Sequence, residues 1–471
     1  MYIEEIAIKN LKRISSFKLK FPGLVEGPKK SARMPWTVLI GENGTGKTAI
    51  LQAIAMSAAG SLQLGQLVGG TAAHLIDRRP AEAREMTTTA TFRFPAGAGD
   101  PREVFVGLPP GAATPDDVRL RSTLRLRPDE TSVSGKSSYV AHGQDLASDL
   151  DDGPLNAARS RGAPHWFVAA YGVARILPDA SKKPSSLSHT DRLRPLFDST
   201  AALTSTNFAN YFADDPNRTR QFAKVLQEVL VPPKKVGPPL LPELVGFTLQ
   251  GKGGVTKAAD ILDRHRFRLQ MGRSAYNIAG SALAHGYQST IAWIADLIGH
   301  MMLDSGNTVP AHQMTGLVLV DEIDLYIHPS LQISLIRSLQ RTFPLVQFVV
   351  TTHSPLVLAA LRTDEDEIVR LKIDEESGDA VCLDTRNGAE HEPDARLMTS
   401  AGIYEHYFGM EQAFAAPEGQ WLAEYLSIAS NPYRTDAEDH TLATLKKDLK
   451  AAGLTPDYPP VDRLRARQAS R

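Results

Sequence analysis

Trp36-Thr-Val-Leu-Ile-Gly-Glu-Asn-Gly-Thr-Gly-Lys-Thr-Ala-Ile-Leu51 joins an apolar run to GENGTGKT, Gly41 to Thr48, and then to a second apolar segment. The first run has the length of a buried strand, and the second continues as a helix. Between them stands G-x-x-x-x-G-K-[ST], a phosphate-binding loop in the strand-loop-helix context that its chemistry requires. Glycines let backbone N–H groups turn inward around phosphate oxygens, and the following helix offers its positive N-terminal end. Lys47 has the reach for β- and γ-phosphates, and Thr48 carries a hydroxyl for Mg²⁺. Gly41, Asn43, Gly44, Thr45, Gly46 and Ala49 complete the predicted nucleotide-binding set. A glycine-rich turn before an ordinary helix has no packing use for Lys-Thr at the helix start.

Composition bounds the rest. At 471 residues and 42% hydrophobic, the chain can bury a large core and has the length of two or three lobes. Lys+Arg 52 against Asp+Glu 53 leaves no global basic field, so any polyanion site must be a local patch. The lone Cys382 excludes a disulfide framework and a Cys-based zinc site within one chain, which fits a reducing cytoplasm. MYIEEIAIKNLKRI carries two glutamates and alternating Ile6 and Ile8, so it reads as a first strand rather than a signal peptide. The chain lacks an apolar run of about 18 residues, and a soluble protein with no membrane partner is expected.

A second nucleotide motif lies far downstream. Gly316-Leu-Val-Leu-Val-Asp-Glu322 is an apolar strand ending in two carboxylates. Asp321 suits the Mg²⁺ shell and Glu322 suits polarising the attacking water. Two adjacent acids alone usually mark a solvated strand end; a phosphate loop in the same chain reverses that reading. Leu345-Val-Gln-Phe-Val-Val-Thr-Thr-His-Ser-Pro355 is a further strand with polar residues at its carboxyl end, where ligands sit in open α/β sheets. His353 there can reach a γ-phosphate and take a catalytic part, although a lone histidine is more often a satisfied core residue.

Ser281-Ala-Leu-Ala-His-Gly-Tyr-Gln-Ser-Thr290 leads into IAWIADLIGHMM, where Ile291, Ile294, Leu297, Ile298 and Met301 recur at helical spacing. A polar, glycine-containing helix start is an anion site. The phosphate loop, LAHGYQ, LVLVDE and TTHSP, in that order, resemble the ABC-type ATPases of the SMC, RecF and OLD superfamily. The resemblance covers roughly residues 1–60, 164–176 and 275–360. It implies an α/β P-loop NTPase: an ABC-type head with an antiparallel β subdomain and a helical lid insertion. It also implies ATP and Mg²⁺ as cofactors, and a homodimer or higher assembly that sandwiches ATP. In such an assembly Gly286 and Gln288 of the signature segment contact the γ-phosphate bound to a second subunit.

Three departures from the family pattern bear on chemistry. Ala284 stands where the signature usually has Ser, so a hydroxyl donor is missing and slow hydrolysis is expected. Backbone amides around Gly286, or the hydroxyls of Ser281 or Ser289, are the candidate substitutes. DEIDLYIHP places His328 before Pro329, a form similar to OLD-type and related bacterial defence ATPases; His328 either couples facing sites or caps the next helix. HWFVAAYGVAR, ending at Arg175, occupies the place of the Q-loop without its glutamine. Arg175 there has three open roles: phosphate contact, contact to a neighbouring chain, or a surface salt bridge.

The boundaries expected are an N-terminal ATPase lobe over 1–189, a mainly helical lid over 190–275, a C-terminal ATPase lobe over 276–395 and a helical region with a basic tail over 396–471. No sustained heptads occur, so a long coiled-coil arm is not expected. MTTTATFRF and VRLRSTLRLRP read as antiparallel strands between the turn-rich PAGAGDP and LPPGAATPDD, and 130–163 reads as a surface loop. In the lid, interrupted by VPPKKVGPPLLPEL, Arg192, Arg194, Arg218, Arg220, Lys234 and Lys235 form either a site for nucleic acid or an acidic partner, or a solvated face. Arg264, Arg266 and Arg268 share one side of a strand, facing either phosphates or plain solvent.

After the ATPase core too few residues remain for the Toprim nuclease domain of OLD proteins, and no matching acidic cluster is present. The pattern is similar to the ATPase subunits of two-gene antiphage systems such as Septu and PARIS. It implies a sensor or scaffold for a separate effector such as a nuclease, with nucleic acid or a phage component as a further partner. A RecF-like DNA-repair clamp is the alternative; a transporter cassette fits poorly because the spacing between its halves is far too long.

Overall fold

Three of the apolar runs quoted above lie side by side in one sheet of the computed structural model. It describes residues 1–26, 32–68, 72, 74–80, 84–94, 118–141, 144–146, 153–160, 166–175, 188–205, 208–212, 214–233, 235, 239–241, 243–249, 265–305, 309–362, 364–383, 394–410, 416–456 and 458–462. In chain order the strands are β1 (Tyr2–Leu11), β2 (Ile14–Lys20), β3 (Val25–Glu26), β4 (Ala32–Arg33), β5 (Thr37–Gly41), β6 (Met86–Arg93), β7 (Arg119–Leu126), β8 (Ser134–Ala141), β9 (Gln144–Leu146), β10 (Val168–Tyr171), β11 (Leu244–Thr248), β12 (Arg266–Met271), β13 (Ser274–Ala279), β14 (Gly316–Val320), β15 (Val346–Thr351), β16 (Glu367–Ile373) and β17 (Ala380–Leu383).

The central sheet has the order β10-β14-β15-β5-β16-β17 and is parallel apart from β17. Every residue of β14 and β15 is buried, as befits strands covered on both faces. Because β5 lies between β15 and β16, the phosphate loop opens beside the carboxyl ends of the strands that carry the acidic pair and TTHSP.

A second sheet, β2-β1-β6-β7-β8-β9, is antiparallel throughout. The alternation read in MTTTATFRF and RLRSTLRL is observed, with Met86 opposite Leu126 and Arg93 opposite Arg119. The helix Lys47–Ala59 lies between the sheets: its Ile50, Leu51 and Ile54 share one apolar cluster with Ile6, Ile8 and Leu124 of the antiparallel sheet and Leu317 and Val349 of the parallel one. A helix apolar on all sides is a buried helix, and this burial fixes the loop that precedes it. The Gln347 side chain joins the sheets again, accepting from Ile3 N at 2.8 Å and donating to Ile3 O at 3.0 Å.

Two segments differ from expectation. The stretch 130–163, expected as a surface loop, contains β8, β9 and the helix Gly153–Ser160; residues 142–143, 147–152 and 161–165 lie outside the described residues. Its Ser and Gly residues have weak strand propensity, but pairing with β7 supplies the context that decides. The stretch 190–275, expected as mainly helical, holds among its described residues one long helix, Pro216–Leu230, capped by Asp215, and also β11 and β12. With β13 these form a three-stranded antiparallel sheet, whose exposed Arg266 and Arg268 alternate with buried Phe267 and Leu269. Arg264, Lys234, PAGAGDP, LPPGAATPDD and the tail 463–471 lie outside the described residues, as does part of the Pro-rich linker.

These elements belong to one compact unit, Met1–Met398; a second is Thr399–Arg471. The second contains the helices Ser400–Phe408, Pro417–Ser430 and Asp436–Ala451. The last begins with a capping box in which Thr435 and Glu438 satisfy each other's backbone amides. Tyr425, Ala429, Leu442, Leu445 and Leu449 form its core. Among the described residues no helix is long and apolar enough to cross a membrane.

Candidate nucleotide site

The loop after β5 is built from backbone conformations that favour glycine. Gly44 and Gly46 have φ of 83° and 88°. A Cβ on Gly41 would stand 2.3 Å from the Leu371 carbonyl oxygen, so the first glycine is required by close approach to β16. The helix that follows has no side-chain cap and no acid in its first turn, which leaves its orphan N–H groups and positive end for an anion. Thr45 is buried, with Oγ1 donating to Glu42 O at 2.8 Å; the Ala49 side chain is in the core, so only its backbone can serve a ligand. Asn43 is exposed. Lys47 Nζ donates to Gly41 O at 2.8 Å and Glu42 O at 2.9 Å, folded across the loop's own carbonyls. Burial lowers the lysine's pKa, with the Asp321 and Glu322 charges acting the other way.

The acidic strand closes on this loop. Thr48 Oγ1 donates to Asp321 Oδ2 at 2.8 Å across a sequence separation of 273 residues. Asp321, 5% exposed, also accepts from Thr351 Oγ1 at 2.6 Å. The same Thr351 oxygen accepts from Glu322 N at 2.7 Å, and Glu322 stands at φ 47°. Among the described residues no group of three or more His, Cys, Asp or Glu side chains is arranged to hold a metal. The adjoining Thr48 hydroxyl and Asp321 carboxylate suit Mg²⁺, which uses one or two protein oxygens and completes its shell from phosphates and water. His353 is half-buried at the end of the TTHSP strand, its pKa lowered by burial and then by the Lys47 charge, with the nearby carboxylates opposing. It is therefore neutral at pH 7 and able to accept a hydrogen bond.

The signature segment begins the helix His285–Asp304. Ala284 is its exposed N-cap, with no side-chain cap bond and no acid in the first turn. A Cβ on Gly286 would lie 2.4 Å from the Tyr326 carbonyl oxygen, and the His285 ring meets the Tyr326 ring edge-on at 5.2 Å. The segment thus rests on the turn after the acidic pair within its own chain. Gln288 Nε2 donates to Leu283 O at 2.6 Å, fastening the segment to itself. Ser289, read as a substitute hydroxyl, is 3% exposed on the inner side of the helix; the Ser281 side chain lies outside the described residues.

Arg175 and Arg192 take roles other than those weighed from sequence, while His328 takes one of its two, the helix cap. Arg175 makes no surface salt bridge: it is buried behind the acidic pair and donates to the carbonyls of Asp321 and Glu322. His328 caps its helix, with Nδ1 accepting from Ser330 N at 3.3 Å. Arg192 is 6% exposed and paired with Asp304 at 3.0 Å, so it is withdrawn from any basic surface. Arg218 and Arg220 bond to Asp215 and Asn217 on their own helix, and Arg194 lies 3.9 Å from Asp191. Thr351, which holds both acids in place, was not singled out by sequence, because a threonine at a strand end carries no pattern of its own.

Two family models match at the two halves of this site: "AAA ATPase domain" over residues 1–63, and "AAA domain, putative AbiEii toxin, Type IV TA system" over 283–359. The chain is similar to the Septu protein PtuA of Bacillus mycoides (strain KBAB4), 24% identical over 95% of this chain and 50% of that protein. The "Retron Ec83 probable ATPase" of Escherichia coli is 40% identical over 20% of this chain and 18% of its own. Among solved structures, an SMC head bound to the C-winged helix domain of ScpA covers 81% of this chain and 98% of its own, at 15% identity and a TM-score of 0.47. The chain spans about half the length of the PtuA protein that it matches. Its fold is an α/β core with a phosphate loop after β5 and an antiparallel β subdomain, and its sequence is similar to that of PtuA.

Proposed function

We propose that the protein binds and hydrolyses ATP with Mg²⁺, assembles through its nucleotide sites, and serves as the sensor or scaffold subunit for a separate effector protein, such as a nuclease, in bacterial antiphage defence. The observation that carries the ATPase reading is the 2.8 Å approach of Thr48 Oγ1 to Asp321 Oδ2 beside an acid-free helix start. The similarity to PtuA along almost the whole chain supports the defence role.

In this reading the phosphate-loop amides and Lys47 receive the phosphates once the lysine leaves Gly41 O and Glu42 O. Thr48 and Asp321 would hold Mg²⁺, which would supply positive charge to offset that of the phosphates. Glu322 orients water and takes its proton, while neutral His353 accepts a hydrogen bond near the γ-phosphate. Gly286, Gln288 and the amides after Ala284 meet the nucleotide of a second copy.

Phosphate release from ATP by the purified protein, with and without Mg²⁺, tests the enzymatic part. Plaque counts in cells carrying this gene with and without its genomic neighbours test the defence part. Mg²⁺-dependent turnover is expected, together with protection that requires a neighbouring gene. The absence of both a thermal shift with ATP and any turnover would overturn the reading.

A further inference from the structure

Arg175 follows β10 by four residues and is 4% exposed. Its Nη2 donates to Asp321 O at 2.9 Å and Glu322 O at 2.7 Å, and its Nη1 approaches Leu325 O at 3.4 Å. The guanidinium carbon lies 5.6 Å from the centroid of the Trp293 ring, on the helix that begins with the signature segment. Trp293 in turn meets the Tyr171 ring at 5.7 Å, at the end of β10. One side chain therefore touches the turn after the acidic strand and the helix of the signature segment.

That turn is not a conformation the chain adopts unaided. Glu322 and Tyr326 stand at φ 47° and 65°, in the left-handed region that disfavours a side chain. Only a short ladder holds it from within: Leu325 N to Glu322 O at 3.0 Å and Ile327 N to Asp324 O at 3.2 Å. Thr351 secures one side through Glu322 N and Asp321 Oδ1. Arg175 secures the other through the carbonyls.

We propose that Arg175 is a positioning residue for hydrolysis: by holding the carbonyls of residues 321, 322 and 325 it fixes the turn that aims the Glu322 carboxylate, and through Trp293 it links that turn to the signature helix. Its catalytic consequence rests on the ATPase reading above; its conformational consequence does not. Burial lowers the guanidinium pKa to about 10, against the charges of Asp324 and Asp321, so a cation is kept behind the carboxylates at neutral pH. Among the described residues, Arg175 Nε is buried without a partner. An apolar side chain would fill the space beside Trp293 without desolvating a charge, so packing alone does not account for an arginine here. The planar fork does, since a lysine cannot span three carbonyls.

Arg175→Lys and Arg175→Met, compared with the native chain, test the proposal by amide hydrogen exchange without nucleotide and by steady-state hydrolysis. Expected are faster exchange confined to residues 321–328 and a kcat lowered about tenfold or more with KM nearly unchanged, the loss smaller for Lys than for Met. Unchanged exchange in that segment overturns the hold, whatever the turnover. Equal kcat in all three proteins overturns the catalytic consequence, and so does a general rise in exchange with loss of ATP binding, which marks a purely structural residue. A native chain without turnover removes the ATPase reading, while exchange still decides whether Arg175 holds the turn. If the Met variant does not fold, the Lys variant gives both readouts.

Discussion

Thr48 Oγ1 donates to Asp321 Oδ2 at 2.8 Å, joining the first residues of the phosphate-loop helix to the end of β14. Two hard oxygens in contact at a helix start would supply two of the six positions around a Mg²⁺ ion. Thr48→Ala leaves the backbone loop intact and removes one of the two. Calorimetry with and without Mg²⁺ should then show that the metal strengthens ATP binding far less than in the native chain, with about tenfold for each 1.4 kcal/mol lost. Thr48→Ser should restore most of it. An unchanged Mg²⁺ dependence in Thr48→Ala would remove this pair from the metal site.

Lys47 Nζ bonds to Gly41 O and Glu42 O, and in the proposed reading it leaves them to meet ATP. In Lys47→Ala the ligand-free fold should persist, because the helix behind it is anchored by Ile50, Leu51 and Ile54. What should vanish is stabilisation by nucleotide, worth about 2.7 kcal/mol at a hundredfold excess over Kd. Thermal melts with ATP read this directly. Equal shifts in native and variant proteins would place ATP elsewhere.

Glu322→Gln keeps the side chain's shape and the Glu322 N bond to Thr351, but an amide cannot take a proton from water. Turnover should fall by orders of magnitude while ATP binding persists, and ATP-dependent dimers or higher assemblies should accumulate. Light scattering with ATP measures the assembly and phosphate release the rate. Native-like turnover in the variant would assign the base to another residue.

Much of the site could be read from the chain because its motifs are short and each needs a fixed backbone. Gly41 to Thr48 requires a strand before it and a helix after it, and LVLVDE requires burial on both faces; β5 and β14 meet both conditions. What could not be read depends on partners remote in sequence. Arg192 looks like surface charge until Asp304, 112 residues on, is found beside it. Arg175 acts on carbonyls, which leave no mark in a sequence, and β8 is a strand because β7 pairs with it rather than because SGKSSYVA prefers one.

Asp296 offers a prediction about pH. Burial raises its pKa from 3.8 to about 6, although Ser205 N, Tyr171 Oη and Thr204 N all bond to it. An acid held above its unfolded value binds more protons folded than unfolded between those two pH values, so its contribution to stability falls as pH rises from about 4 to about 6. Asp296→Asn lacks that titration and can still accept the two amides. Its stability relative to the native chain should therefore climb by roughly 3 kcal/mol over that window and stay level above it, at 1.36 kcal/mol per pKa unit. His300 Nε2 lies 3.5 Å from Asp296 Oδ2, so Asp296→Asn changes its surroundings as well; burial holds His300 neutral, and its effect on stability has the opposite sign. A difference in denaturation midpoints that is flat from pH 4 to 8 would contradict the raised pKa.

Ala284 allows the signature segment to be tested without disturbing its own chain. Gly286 does not: a Cβ there meets Tyr326 O at 2.4 Å, so even Gly286→Ala strains the monomer before a second copy arrives. Ala284 is exposed, and as an N-cap without a cap bond it leaves room for a serine hydroxyl in two roles. Turned toward its own helix, that hydroxyl would accept from an amide in the first turn and raise stability by about 1 kcal/mol with or without nucleotide. Turned toward a γ-phosphate on a second copy, it would donate to a charged acceptor, worth roughly 1.5 to 3 kcal/mol, and would act only when ATP is present. Sedimentation of Ala284→Ser with and without ATP separates the two. Tighter association with ATP, beyond any change in melting temperature without it, is the expected result. A gain in melting temperature alone would leave the segment an ordinary helix start and remove its role across the assembly.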